Sequence, residues 1–173
     1  MKLALQYAER AYQIGEVPVG AVIVNADGNV IATAHNLVES ELDATSHAEC
    51  LVLRKAMRRL GQKYLEKCDL WVTLEPCAMC AGAISNARIR RLYYAVEDKK
   101  GGAVDNGSLV FSHPTCHHKP EIYGGIMEEK CSNLIKNSYE LDKSVMTFLI
   151  IYHYLKFRIS IIFSLITNFC GFP

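Results

Sequence analysis

Leu3, Ala4, Tyr7, Ala8, Ala11 and Ile14 recur at three- and four-residue intervals, and Gly15 follows them as a stop. That spacing predicts an amphipathic helix with one apolar face. Gly20–Val24 (GAVIV) is continuously apolar, the pattern of a buried strand, and Val30–Ala34 predicts its returning partner. Between them stands Asp27-Gly28, a hairpin pair, since glycine supplies the positive φ that such turns require. His47–Leu60 predicts a second helix closed by Gly61, and Leu70–Leu74 (LWVTL) a third strand. Cys77–Asn86 predicts a helix with Pro76 at its start, where a missing N–H costs nothing. Arg91–Val96 predicts a fourth strand, 97–120 a long polar and Gly-rich irregular segment, and Ile126–Asn137 a late helix. Strands alternate with helices without internal repeats, so the class is α/β with helices on both faces of a sheet.

The chain has 173 residues, half of them hydrophobic and 21% charged, with a formal net charge of +1. This fits one globular domain and excludes wholesale disorder, and the near-neutral balance argues against a generic basic nucleic-acid binder while leaving room for local basic patches. The seven cysteines are odd in number and no secretory signal opens the chain, so a reducing, cytoplasmic compartment is expected. Cys50, Cys68, Cys116, Cys131 and Cys170 show no partner spacing and read as unpaired thiols. The most apolar stretch is Val145–Phe169. Its uncharged pieces are shorter than a membrane span, and Lys156 and Arg158 near its middle would each cost ~2.5–3.5 kcal/mol in a bilayer. A membrane anchor is therefore not expected. The chain divides into a 1–141 domain and a 142–173 apolar extension without an assigned role.

The candidate chemistry lies in His47-Ala48-Glu49 and Pro76-Cys77-Ala78-Met79-Cys80. Cys77 and Cys80 share one helix face, in the first turn, where the helix dipole favours thiolates. Two thiolates and the imidazole of His47 make three ligands for Zn²⁺, and their charge cancels that of the ion. No fourth His or Cys stands at zinc-ribbon spacing, and three protein ligands with an open position form the catalytic pattern. Glu49 cannot share a helical face with His47, but at a helix N-terminus both reach a site beyond the helix end. Glu49 is then the proton carrier, best when burial raises its pKa towards operating pH. Separately, each of these residues has an ordinary structural reading. H-x-E followed after 26 residues by P-C-x-x-C is the combination found in zinc deaminases of nucleobases.

At these residues the chain resembles the cytidine-deaminase-like superfamily, and within it the bacterial tRNA adenosine deaminases that make wobble inosine. The resemblance runs from about Lys2 to Leu141. It rests also on Glu16–Val22 (EVPVGAV), Asn36, Thr73-Leu74-Glu75, Ala81-Gly82-Ala83, Arg88-Ile89, Asp98–Ala103 (DKKGGA), Pro120-Glu121-Ile122 and Glu128-Glu129. It implies a three-layer α/β/α fold with a five-stranded mixed sheet, one Zn²⁺ per chain, a homodimer, and the tRNA anticodon stem-loop as partner. It implies zinc ligation by His47, Cys77 and Cys80 and proton transfer by Glu49. Asn36 would hold the flipped base or its ribose, with Ala48 and Glu75 against the pocket. Asp98 and Lys100 would meet the neighbouring nucleotides. Two basic runs are candidate RNA faces: Arg54, Lys55, Arg58, Arg59, Lys63 and Lys67, and then Arg88, Arg90, Arg91, Lys99, Lys100 and Lys119. The rival readings are the same chemistry on a free base, nucleoside or nucleotide, a non-catalytic RNA-binding subunit, and a structural zinc module.

Overall fold

The computed structural model describes residues 1–139. The chain divides into two compact units, Met1–Ile135 and Lys136–Pro173, and the first carries the elements named below. The apolar extension expected over 142–173 lies outside the described residues.

Five strands, β1 (Gly20–Asn25), β2 (Val30–His35), β3 (Cys68–Leu74), β4 (Arg91–Val96) and β5 (Glu121–Tyr123), form one sheet in the order β2-β1-β3-β4-β5. β1 runs antiparallel to β2 and β3, whereas β3, β4 and β5 are parallel, so the sheet is mixed. The β1–β2 turn forms as the Asp-Gly pair predicts. Gly28 sits at φ +82°, and Asn25 Oδ1 accepts the N–H groups of Asp27 and Asn29 at 3.1 and 2.8 Å. The register sets Ala21 opposite Val72 and Leu70 opposite Leu92, which aligns Ile23, Leu70, Val72 and Leu92 in the core.

Helix α1 (Lys2–Gln13) packs on one face of β1 and β2. Its approach depends on Gly20, where a methyl group would lie 2.1 Å from the Ala4 carbonyl oxygen and 2.5 Å from the Ala8 nitrogen. After the short α2 (Val38–Glu41), helix α3 (Ala48–Leu60) covers the opposite face with Leu51, Val52, Leu53 and Ala56. Gly61 closes it at φ +63°. Helix α4 (Ala78–Ala87) lies beside α3 and is the crossover between the parallel strands β3 and β4.

Two boundaries differ from the sequence expectation in a way that matters. His47 and Cys77 are not the first helical residues but the extended N-cap residues of α3 and α4. The segment 97–120 is irregular apart from one 3₁₀ turn at Val110–Ser112, and residues 128–139 are helical. Among the described residues no helix is long and apolar enough to cross a membrane. The Glu75 N–H bonds to the Val96 carbonyl at 2.8 Å, so β3 and β4 end side by side. In open α/β sheets the crevice beyond the carboxyl ends of parallel strands is where ligands bind.

Candidate metal centre

An N-cap residue with extended backbone throws its side chain past the end of its helix. His47 (φ −70°, ψ 148°) and Cys77 (φ −72°, ψ 173°) both do so, at two neighbouring helix N-termini. Cys80 joins them from the first turn of α4. The His47 Nδ1 atom lies 3.7 Å from Cys77 Sγ and 3.6 Å from Cys80 Sγ. All three donor atoms fall within 4.8 Å of one another. Cys80 is fully buried, and His47 and Cys77 are half-buried.

The protonation of this cluster shows what it is suited to hold. Hydrogen bonding from Cys80 and His47 lowers the Cys77 thiol to about 4. Hydrogen bonding with Cys50 and Cys77, together with burial, raises the Cys80 thiol instead. Two sulfurs this close cannot both ionise without a cation between them. A divalent ion removes the conflict, because two thiolates and a neutral imidazole balance its charge. The donor set suits zinc, which takes sulfur and imidazole nitrogen readily.

Glu49 stands in the first turn of α3, only 4% exposed, and burial raises its carboxyl to about 7. Cys77 raises it further, and His47 and the bond to Cys80 pull it down. Asn36 is also buried, and its Oδ1 accepts the Ala48 N–H at 2.9 Å. Two expected pocket residues thus hold each other. A backbone N–H can bond only the amide oxygen, so the orientation of the Asn36 side chain is fixed and its NH₂ group is the donor end.

The chain matches the cytidine and deoxycytidylate deaminase zinc-binding region over residues 1–96. It belongs to that family of zinc deaminases. Among its relatives is a protein of Agrobacterium fabrum named tRNA-specific adenosine deaminase, 51% identical over 139 residues, which are 80% of this chain and 91% of the relative. A solved structure from a study of A-to-I editing by tRNA:A34 deaminases superposes with a TM-score of 0.76 at 53% identity, covering 78% of this chain and 96% of that one. A guanine deaminase of Bacillus subtilis superposes less well, with a TM-score of 0.54 at 34% identity over 76% of this chain and 87% of its own. The five-stranded mixed sheet flanked by helices is the fold of these deaminases.

The remaining expected site residues of this deaminase are Asp98 and Lys100 on one loop and Glu75, just past the end of β3, facing it. Asp98 turns its carboxylate back on its own segment, accepting the N–H groups of Lys100 and Gly101 at 2.9 and 3.0 Å. Lys100 is exposed. Glu75 is buried, and its carboxylate is bonded by the loop it faces rather than left open to a ligand. Burial pushes this carboxyl up, but the bonds from Asp98, Asn106 and Asp105 outweigh that and hold it below the usual range. Half of the second basic run is committed to partners. Arg88 pairs with Glu66 at 2.9 Å, Arg90 with Asp69 at 2.8 Å, and Arg91 with Glu121 at 2.8 Å. The first run stays exposed along and beyond α3. Sequence reasoning left Cys50 aside, yet its sulfur lies 3.9 Å from that of Cys80. No spacing rule could have found it, because the two residues come from different helices. The six cysteines among the described residues form no disulfide, as expected, and Cys170 lies outside them.

Proposed function

We propose that this chain is a zinc-dependent hydrolase that deaminates adenosine to inosine at the wobble position of a tRNA anticodon loop. The observation that carries this is the convergence of His47, Cys77 and Cys80 beside the buried Glu49, in a chain half identical to a protein named for that reaction. His47, Cys77 and Cys80 would hold the ion. Bound zinc makes water a nucleophile near neutral pH. Glu49 carries the protons. It accepts one from the water that attacks C6 and hands it to the ring nitrogen, then accepts the second from the oxygen now on C6 and hands it to the departing amine, so that water and adenosine leave as inosine and ammonia. A carboxyl poised near 7 can do both. Asn36, with its oxygen committed to Ala48, offers its NH₂ to the base or ribose. The 98–106 loop supplies Asp98 and Lys100 next to the flanking nucleotides. An anticodon-loop base is single-stranded, so its extrusion breaks no pair.

The partners in this reading are the anticodon stem-loop and a second copy of the chain, in the cytoplasm. The alternative of a free-base deaminase is favoured by the guanine deaminase likeness, which is weaker in both identity and superposition. The test is to incubate purified protein with tRNA bearing adenosine at the wobble position, and separately with free adenosine, cytidine and guanine. Inosine appearing in the digested tRNA, with the free compounds unchanged, is the expected result. Turnover of a free base without tRNA inosine would move the assignment to the alternative.

A further inference from the structure

We propose that Glu75 is a positioning residue that ties the 98–106 loop to the metal motif and so sets the wall that receives the RNA beside the target base. This rests on the RNA-deaminase reading above. Glu75 is 2% exposed and has no ion-pair partner among the described residues. Its carboxylate instead accepts five hydrogen bonds, all from one loop. Oε1 takes the consecutive N–H groups of Val104, Asp105 and Asn106 at 3.0, 2.9 and 2.9 Å. Oε2 takes the Asp98 N–H at 2.9 Å and the Asn106 Nδ2 at 2.7 Å. One side chain therefore grips both ends of the loop.

The loop is built to allow this grip. Gly102 lies where a methyl group would come within 2.5 Å of the Glu75 carboxyl and of the Asp98 carbonyl oxygen. The loop backbone then touches the metal motif directly. The Ala103 N–H bonds to the Pro76 carbonyl at 2.9 Å, and Gly102 pairs with Cys77 as an isolated antiparallel bridge. Tyr94, buried beneath, donates its hydroxyl to Asp105. Residues 75–77 thus hold the loop with one side chain and offer a metal ligand with the next but one. Charge-assisted bonds to backbone N–H groups are the strong kind, and they fix geometry as well as energy. Asp98 and Lys100 stand on the segment so fixed.

Glu75→Gln tests this. Glutamine keeps an oxygen for one end of the loop but sets its NH₂ against the donors at the other. Zinc content should stay at one per chain. Amide exchange at 98 and 104–106 should quicken about tenfold or more, with the core of β3 and β4 unchanged. KM for an anticodon stem-loop should rise about tenfold, the loss of one charge-assisted bond, with kcat within about threefold. Asn106→Asp, which sets one carboxylate against another at a half-exposed site, should act alike and serves if the first variant does not fold. The double variant returns a donor–acceptor pair with reversed polarity and should recover part of the KM. Unchanged KM and loop exchange in both single variants would overturn the proposal. So would exchange that quickens evenly through the sheet, since that is a stability role alone. Absence of tRNA deamination by the unaltered chain would strike the reaction assigned above, and loop exchange would still judge Glu75.

Discussion

Replacing Asn36 by alanine removes the one acceptor that the described residues give the Ala48 N–H, at the first helical residue of α3. His47 does not replace it, since it makes no side-chain cap bond at this terminus. A lost N-cap bond costs about 1 kcal/mol, and a buried donor left without a partner about 1–3 kcal/mol. The site is buried, so about 2 kcal/mol is expected, or roughly 6–10 °C in Tm for a domain of this size. Asn36→Asp separates the two functions of the side chain. Its carboxylate still accepts from Ala48 and lies at a helix N-terminus, where negative charge is favourable, but it has no NH₂ to offer. Thermal melting followed by circular dichroism should show the alanine variant well below the parent and the aspartate variant much closer. Stem-loop deamination should fall in both. An alanine variant that melts with the parent would refute the capping argument. An aspartate variant with full activity would refute the role of the NH₂ group.

Glu49→Gln preserves shape and leaves His47, Cys77 and Cys80 intact, so zinc should remain at one per chain while turnover falls ~10²–10⁴-fold. Metal analysis beside single-turnover rates checks it, and an unimpaired rate would sink the proton-carrier role. Cys80→Ala removes a fully buried sulfur and should lose zinc, read by emission spectrometry, and lower Tm with it, because metal binding and folding are coupled. Glu16 makes the acid limb of stability testable. Burial raises its pKa, but bonds from Ser40 and Glu39 outweigh that and leave it below 4.5. A depressed folded pKa means its contribution is complete above 4.5 and is lost as pH falls through the folded value. Glu16→Gln should therefore lower stability at pH 7 and flatten its decline below pH 4.5, measured by urea unfolding across pH.

The helices and long strands were legible because their periodicity reports burial directly. Ala4, Ala8 and Ala11 repeat at helical spacing and are the residues of α1 that are buried. β5 and α2 were not legible from pattern, since three and four residues cannot establish a period. The metal ligands were legible because zinc chemistry demands particular residue types at short spacings, whatever surrounds them. Glu75 shows the opposite case. Its neighbours in the motif mark it as part of the site, but its partners are backbone N–H groups between Asp98 and Asn106. Backbone donors exist at every position, so nothing in the sequence says which of them a carboxylate will collect. Only the close approach at Gly102 leaves a trace in the sequence, a glycine among the residues that carried the family resemblance.

Charge counting failed in a related way, and the failure bears on how RNA is held. In the sequence, Arg88, Arg90 and Arg91 look like half of a basic face. In the fold each meets a carboxylate from another segment, and Arg90 meets Asp69 with two parallel bonds of 2.8 Å. A paired arginine contributes little net field beyond its own neighbourhood, and phosphate would have to displace its partner. Of the two runs, what remains for phosphate is the exposed stretch from Arg54 to Lys67, the lysines of the 98–106 loop and, apart from both, Lys119. The first of these lies along and beyond α3, the helix whose N-cap is His47, and the second lies on the loop that Glu75 secures beside Cys77. In the proposed reaction, most of this positive charge is thus attached to the same two segments that bring the metal ligands together. Phosphate contacts fix register without reading sequence. In that proposal the choice of base falls to Asn36 and Glu49, which are buried, where a missing hydrogen bond is costly.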